Sequence, residues 1–398
     1  MKKWLSILLV LILVVSLGLT GCGGTTESED TSTGGDEGSE VTLDDDVIKI
    51  GVFEPITGAN AAGGELEVEG IKLANELYPE VLGKKVELVI ADNKSDVVES
   101  ASAAARLVER DKVTAIIGSW GSSNSIAAGD IVRDAKIPAV APSATNPLVT
   151  QGNDYYFRVC FIDPFQGTVM ANYAFNSLGA KKAAIIQEVS NDYAVGLAKF
   201  FTDAFVELTG DPNSIVEVAN YQTGDQDFSS QLLNISEKNP DVIFAPGNFT
   251  ESAMVIQQAR QLGITTPIIG GDTWETPEFI EIGKEHVEGA VLSTFFTSEV
   301  PITEESEKFL KAYREKYNRE PAAVTALGYD AYILILDAIE RAGSTDPVAI
   351  RDEIAKTEGF EGAAGIITLD ENGDAIKSAV IKTVKNGEFV YLETIEPY

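Results

Sequence analysis

The sequence predicts an α/β fold in which a parallel-sheet unit is built twice in succession. Short apolar runs rich in Val and Ile return at roughly every 20 to 30 residues, and they are continuous rather than alternating, as expected of strands covered on both faces. Stretches with helical spacing separate them, giving the strand–helix alternation of α/β proteins. The series also runs twice, with a break near the segment FRVCFIDPFQG.

In chain order, the opening MKKWLSILLVLILVVSLGLTGC has two lysines, an apolar run and small residues before Cys22, so residues 1–21 read as a secretory leader. The LTGC ending resembles the lipobox of bacterial lipoproteins, which implies cleavage before Cys22 and lipidation of that cysteine. Residues 22–46 are rich in Gly, Ser, Thr and acid, and read as a disordered acidic tether. The first strand series is IKIGVF, VELVIA, VTAIIG and IPAVA, with helical patterns over Asp96–Glu109 and Ser123–Asp134. The second is AAIIQEV, SIVEVA, DVIFAPG, PIIGG and AVLSTFF, with helices over Val195–Leu208, Glu251–Leu262 and Ser306–Tyr317. Two further helical patterns, Ala322–Ala342 and Val348–Lys356, lead to strands around Asn372-Gly373 and Asn386-Gly387, dipeptides that suit hairpin turns. DENGDA has the oxygen ligands of a calcium loop in Asp370, Asn372 and Asp374, but Ala375 and Ile381 stand where that loop needs Gly and Glu. No metal site is expected there.

Composition narrows the function. The 398 residues carry 62 acidic and 30 basic side chains, a formal net charge of −32, which excludes a basic footprint for nucleic acid. His286 is the single histidine and sits among charged residues, leaving no histidine-based triad or zinc set. With Cys22 lipidated, Cys160 in FRVCFI has no partner and reads as a small core residue. No cofactor is indicated, and no enzymatic activity is expected.

Small polar groups instead follow several strands. In SWGSSNS, Ser122 or Ser123 is placed to cap a helix whose first N–H groups remain free for a carboxylate. In APSATNP, Ser143 and Thr145 stand between two prolines that restrict the backbone on either side. In DTWETPEF, Asp272 stands where the second unit opens, as a helix cap or as an anion for an ammonium, with Trp274 beside it. Ligands of open α/β sheets bind outside the carboxyl ends of the strands, where these loops converge.

From Ile48 onward, IKIGVFEPITGANAAGGELEVEGIKLA, VTAIIGSWGSSNSIA, IPAVAPSATNPLVT, IIQEVSNDYAVGLA and DVIFAPGNFTESAMVIQQARQLGI together resemble the leucine/isoleucine/valine-binding branch of the type I periplasmic binding proteins, which feed ABC transporters. The resemblance implies two Rossmann-like lobes with parallel sheets joined by a three-crossover hinge. Lobe 1 would comprise residues 47–163 with 296–380, and lobe 2 residues 164–295 with 381–398. It implies an amino-acid ligand held between the lobes and delivered to a membrane permease, the chain being tethered outside the cytoplasm by its lipid. It further implies that Ser122 and Thr145 hold the ligand carboxylate, aided by backbone at Ser143 and Ala144, that Asp272 meets the ammonium, and that Tyr193 closes over the ligand. Two positions depart from the family pattern. Gly63 and Asn248 stand where aromatics commonly line the side-chain pocket, which predicts a larger or more polar pocket with Phe249, Trp120 and Trp274 as substitute walls. A sensor ectodomain of the same fold, and a binding protein for short amides or small carboxylates, are the alternatives.

Overall fold

The computed structural model describes residues 46–397; the leader, Cys22 and nearly all of the tether lie outside them. In chain order the elements are β1 (Val47–Glu54), α1 (Ala61–Leu77), β2 (Glu80–Val81), β3 (Lys84–Asp92), α2 (Val97–Glu109), β4 (Ala115–Ile117), α3 (Ser122–Ala135), β5 (Ala139–Ala141) and β6 (Tyr156–Arg158). There follow α4 (Asp163–Asn172), β7 (Ala183–Glu188), α5 (Asp192–Thr209), β8 (Ile215–Tyr221), α6 (Ser229–Glu237), β9 (Val242–Phe244), α7 (Phe249–Gln261), β10 (Ile268–Gly270), α8 (Pro277–Gly283) and β11 (Val291–Thr294). The chain ends with α9 (Glu304–Tyr317), α10 (Ala323–Ala342), α11 (Pro347–Ile354), β12 (Phe360–Gly362), β13 (Gly365–Ile367), β14 (Ala379–Lys385) and β15 (Glu388–Ile395).

Two sheets result. The first has the order β2-β3-β1-β4-β5-β6 and is parallel except for the short edge strand β2. The second has the order β15-β14-β11-β10-β9-β7-β8; its strands from β7 to β11 are parallel, while β14 and β15 add an antiparallel edge. The chain passes between the sheets after β6, after β11 and before β14, so the fold is two-lobed with three connections. The inner parallel strands β4, β5, β9 and β10 are buried on both faces, which explains their unbroken apolar runs.

Some elements depart from the expected pattern. Asn386 and Gly387 both adopt positive φ and turn the β14–β15 hairpin. Around Asn372-Gly373, by contrast, the flanking residues make only one antiparallel bridge, Leu369 with Ala375. The Asp370 carboxylate there accepts from the backbone N–H of Asn372 and Asp374, so the acids of DENGDA organise a turn. Helix α1 begins within the glycine-rich AAGGE, a composition unfavourable for a helix. Its glycines are contact points instead. A Cβ on Gly70 would lie 1.9 Å from the carbonyl oxygen of Thr325 in α10, and one on Gly328 of α10 would lie 2.3 Å from the carbonyl oxygen of Glu67. The two helices therefore approach backbone to backbone, and α10, buried along most of its length, forms the covered side of the first lobe.

Candidate functional site

The carboxyl ends of the two sheets face a common cavity of about 90 Å³. The first lobe lines it with Asn60, Ser95, Val97, Trp120 through Asn124, and Ser143; the second contributes Glu188, Ser190, Asn191, Tyr193, Thr223, Asn248, Asp272 and Thr273.

One wall is the start of α3. Gly121 precedes it with φ of 91°, so the chain can turn sharply between β4 and the helix. Neither Ser122 nor Ser123 caps the helix. Ser122 Oγ accepts from the N–H of Asn146 at 3.1 Å, tying this turn to the proline-flanked loop, and Ser123 turns toward the second lobe. The first i to i−4 bond is Ser125 N–H to the Gly121 carbonyl, so the N–H groups of the preceding turn and the positive end of the helix dipole lie at the cavity wall.

Across the cavity stands Asp272, after β10. Gln166 Nε2 and the Tyr193 hydroxyl both donate to its Oδ1, at 2.7 and 3.0 Å, and Oδ2 takes neither bond. Burial pushes the Asp272 carboxyl up to about 6, against the opposing effect of the Gln166 and Tyr193 donors. The Tyr193 ring fits because position 271 is glycine: a Cβ there would lie 2.0 Å from the Tyr193 hydroxyl oxygen. The arrangement offers backbone N–H donors at one end and a carboxylate at the other, the complement of a small zwitterion.

The remaining expected residues divide. Trp120 lines the cavity and makes an edge-to-face contact with Phe249, ring centroids 6.2 Å apart. Asn248 also lines it and accepts from Asn191 Nδ2 at 3.3 Å. Gly63 is not an open space: a Cβ there would lie 2.4 Å from the Trp120 indole, which fills the volume that an aromatic at 63 would take. The absence of a side chain at Gly63 thus makes room for the Trp120 indole. Trp274 does not line the cavity; it is buried in the second lobe, stacked on Phe279 with centroids 5.0 Å apart. Ala144 and Thr145 are buried behind the cavity wall. The Thr145 carbonyl accepts from Asp163 N–H at 3.0 Å, and its hydroxyl faces the Asp163 carboxyl, which burial pushes up to about 8.

Arg158 was not expected in the site, yet it shapes it. Fully buried, it donates from Nη1 to the Ala144 carbonyl at 2.5 Å and from Nη2 to the Asn146 carbonyl at 3.0 Å and Thr150 Oγ1 at 2.9 Å, while Nε meets Asp374 at 2.6 Å. The proline-flanked loop is therefore held from behind by one guanidinium, whose counter-ion comes from the DENGDA turn. The lobes also touch at the cavity rim. Ser123 Oγ donates to Asp192 Oδ2 at 2.8 Å and accepts from Asp192 N–H at 3.1 Å, and Asn146 Nδ2 donates to the Asp192 carbonyl at 2.8 Å.

A two-lobed α/β fold with a small polar cavity between the carboxyl ends of its sheets defines a solute-binding protein. Residues 47–388 match the periplasmic binding protein family, and the chain belongs to that family, in its type I, leucine/isoleucine/valine-binding branch. It is similar to an amino acid binding protein of Pseudomonas aeruginosa, 32% identical over 82% of this chain and 87% of that relative. Among solved structures it resembles the leucine binding protein LivK of Thermotoga maritima, with 48% identity, a TM-score of 0.85, and coverage of 88% of this chain and 99% of the other. It also resembles the branched-chain amino acid transporter substrate binding protein LivJ of Streptococcus pneumoniae, solved with isoleucine, at 35% identity and a TM-score of 0.82 over 88% of this chain and 100% of that one. The chain is accordingly an extracytoplasmic solute-binding component of an ABC importer for a small ligand, and not an enzyme.

Proposed function

We propose that this protein is a lipid-anchored receptor that captures an amino acid with an aliphatic or aromatic side chain, branched-chain residues foremost, and delivers it to an ABC permease. The observation that carries the reading is the convergence, in one cavity, of the α3 N-terminal turn at Ser122 from the first lobe and the Asp272 carboxylate from the second. The ligand carboxylate meets the helix N–H groups and Ser122, with Ser143, Ala144 and Thr145 ordering the adjoining loop. The ammonium meets Asp272 beside Tyr193. Trp120 and Asn248 border the side chain, and Phe249, which is outside the cavity lining, backs the Trp120 ring. The amino-acid binders among the relatives support this choice of ligand. On this reading lobe 1 is residues 47–163 with 296–378, and lobe 2 is 164–295 with 379–398, the expected boundary at 380 moving back because β14 of the second sheet begins at Ala379. The LTGC sequence supports an anchor at Cys22, and the variant Cys22→Ser is expected to leave the membrane fraction.

The test is a thermal-shift screen against the common amino acids, short amides and small carboxylates. A ligand at about 100 times its Kd stabilises the folded state by roughly 2.7 kcal/mol. A shift with leucine, isoleucine or valine supports the reading; a shift confined to amides or carboxylates overturns the role given to Asp272.

A further inference from the structure

Two carboxyl groups behind the cavity have no place in the binding scheme. Glu54 ends β1 and Glu67 lies in α1; both are fully buried, and neither forms a salt bridge with Lys or Arg among the described residues. Each carboxyl acts on the other. One oxygen of each is engaged with the site: Glu54 Oε2 accepts from the Trp120 N–H at 2.6 Å, and from Ser119 Oγ at 3.4 Å, while Glu67 Oε1 accepts from the Ser143 hydroxyl. The remaining oxygens, Glu54 Oε1 and Glu67 Oε2, are buried and meet no N–H or O–H donor.

We propose that Glu54 and Glu67 form a carboxyl pair sharing one proton, and that this pair positions the first-lobe half of the ligand site through Trp120 and Ser143. Donor counting requires at least one proton. The Trp120 N–H can only donate, so Glu54 Oε2 must accept, and the two carboxyl groups hydrogen-bond to each other only if one of them carries a proton. With no proton, two anions would stand in a dry site without a counter-ion. Burial, the leading cause for both groups, pushes Glu54 up to about 8 and Glu67 well above the ordinary carboxylate range, Glu54's charge adding to the shift of Glu67. The neighbouring elements do not relieve this. Asp272 acts on Glu67 with the same sign; β6 presents the neutral Tyr156, and Cys160 follows it. The Arg158 guanidinium is committed to the loop and Asp374, and α10 faces Glu67 with Gly328, its Asp330 being bound by Ala363, Ala364 and Lys377. The pair thus fixes two residues of the cavity wall with a single net charge.

This inference rests on the binding role proposed above, and its test separates the two. Thermal unfolding of the wild type and of Glu54→Gln is followed from pH 5 to 8 without ligand, and leucine, isoleucine and valine binding is measured calorimetrically for wild type, Glu54→Gln and Glu54→Ala. A carboxyl raised in the folded state binds a proton that the unfolded chain has lost, so its stabilisation is complete below about 4.5 and disappears as the pH rises through about 8. Wild type should therefore release about one more proton on unfolding in that window than Glu54→Gln, whose amide N–H replaces the shared proton. Glu54→Ala should weaken binding at least about tenfold by freeing the Trp120 amide, and Glu54→Gln should rescue it. Equal pH slopes in wild type and Glu54→Gln would overturn the shared proton, and Gln binding as weakly as Ala would overturn the positioning role. If the wild type binds none of the three amino acids, the functional reading fails, while the proton count, which needs no ligand, still decides the pair.

Discussion

Asp272 concentrates the chemistry of the second lobe in one side chain. Its Oδ1 is fixed by Gln166 and Tyr193, so the carboxylate is oriented before a ligand arrives. Replacing it by Asn keeps the size and removes the charge, and Asp272→Asn is expected to weaken leucine binding by about 2–3 kcal/mol, roughly 30- to 150-fold, in calorimetry at pH 7. The pH dependence follows from the same burial. The free protein's Asp272 takes up a proton as the pH falls through about 6, and an ammonium needs the anion, so affinity should drop by up to about tenfold per pH unit below that point. The unliganded fold responds in the opposite sense, since the raised carboxyl stabilises it at low pH and ceases to do so as the pH rises through 6. Asp272, Ser122 and Ser143 were legible in the sequence because each follows a short apolar strand, where a polar residue reaches the sheet end. Glu67, Gln166 and Arg158 were not, because each lies within a helix or strand and finds its partners far along the chain: Gln166 donates to Asp272 across 106 positions.

At the level of elements, the strands were the readable part, since burial on both faces leaves a continuous apolar run for which local sequence suffices. Helix α10 was equally plain, expected from Ala322 and found from Ala323. Helix α1 was missed because Gly63, Gly64 and Gly70 lower its intrinsic propensity, and what compensates for them is tertiary. Gly70 lets α10 approach, and Gly63 admits the Trp120 indole. The short strand β6 was hidden for a related reason: FRVCFI reads as generic core, and only pairing with β5 makes its first part a strand. Gly70→Ala tests the argument against propensity alone. Propensity favours alanine in a helix by roughly 1 kcal/mol, yet its Cβ would meet the Thr325 carbonyl at 1.9 Å. The variant is therefore expected to lose about 1–3 kcal/mol in urea unfolding, and a gain in stability would show that the α1–α10 approach is looser than described.

For the molecule as a whole, affinity depends on how the two lobes meet as well as on the ligand's own contacts. The rim bonds are made by side chains that neither the carboxylate end nor the ammonium end of the site uses: those of Ser123 at the start of α3 and Asp192 at the start of α5. Asp192 does not line the cavity, so removing its side chain alters closure without touching the ligand. One exposed hydrogen bond of this type contributes about 1 kcal/mol, and in a structure with the lobes in contact that energy resists opening. Asp192→Ala should accordingly raise the dissociation rate of leucine about fivefold while leaving the association rate near its original value, as stopped-flow fluorescence of the cavity's Trp120 would report. The double variant Ser123→Ala with Asp192→Ala should be little weaker than Ser123→Ala alone, because Ser123→Ala already removes both the bond to the Asp192 carboxylate and the bond from the Asp192 N–H. Additive losses would mean instead that the two side chains act separately, Ser123 on the ligand and Asp192 on the start of its own helix, and that the lobes are held together by the site alone.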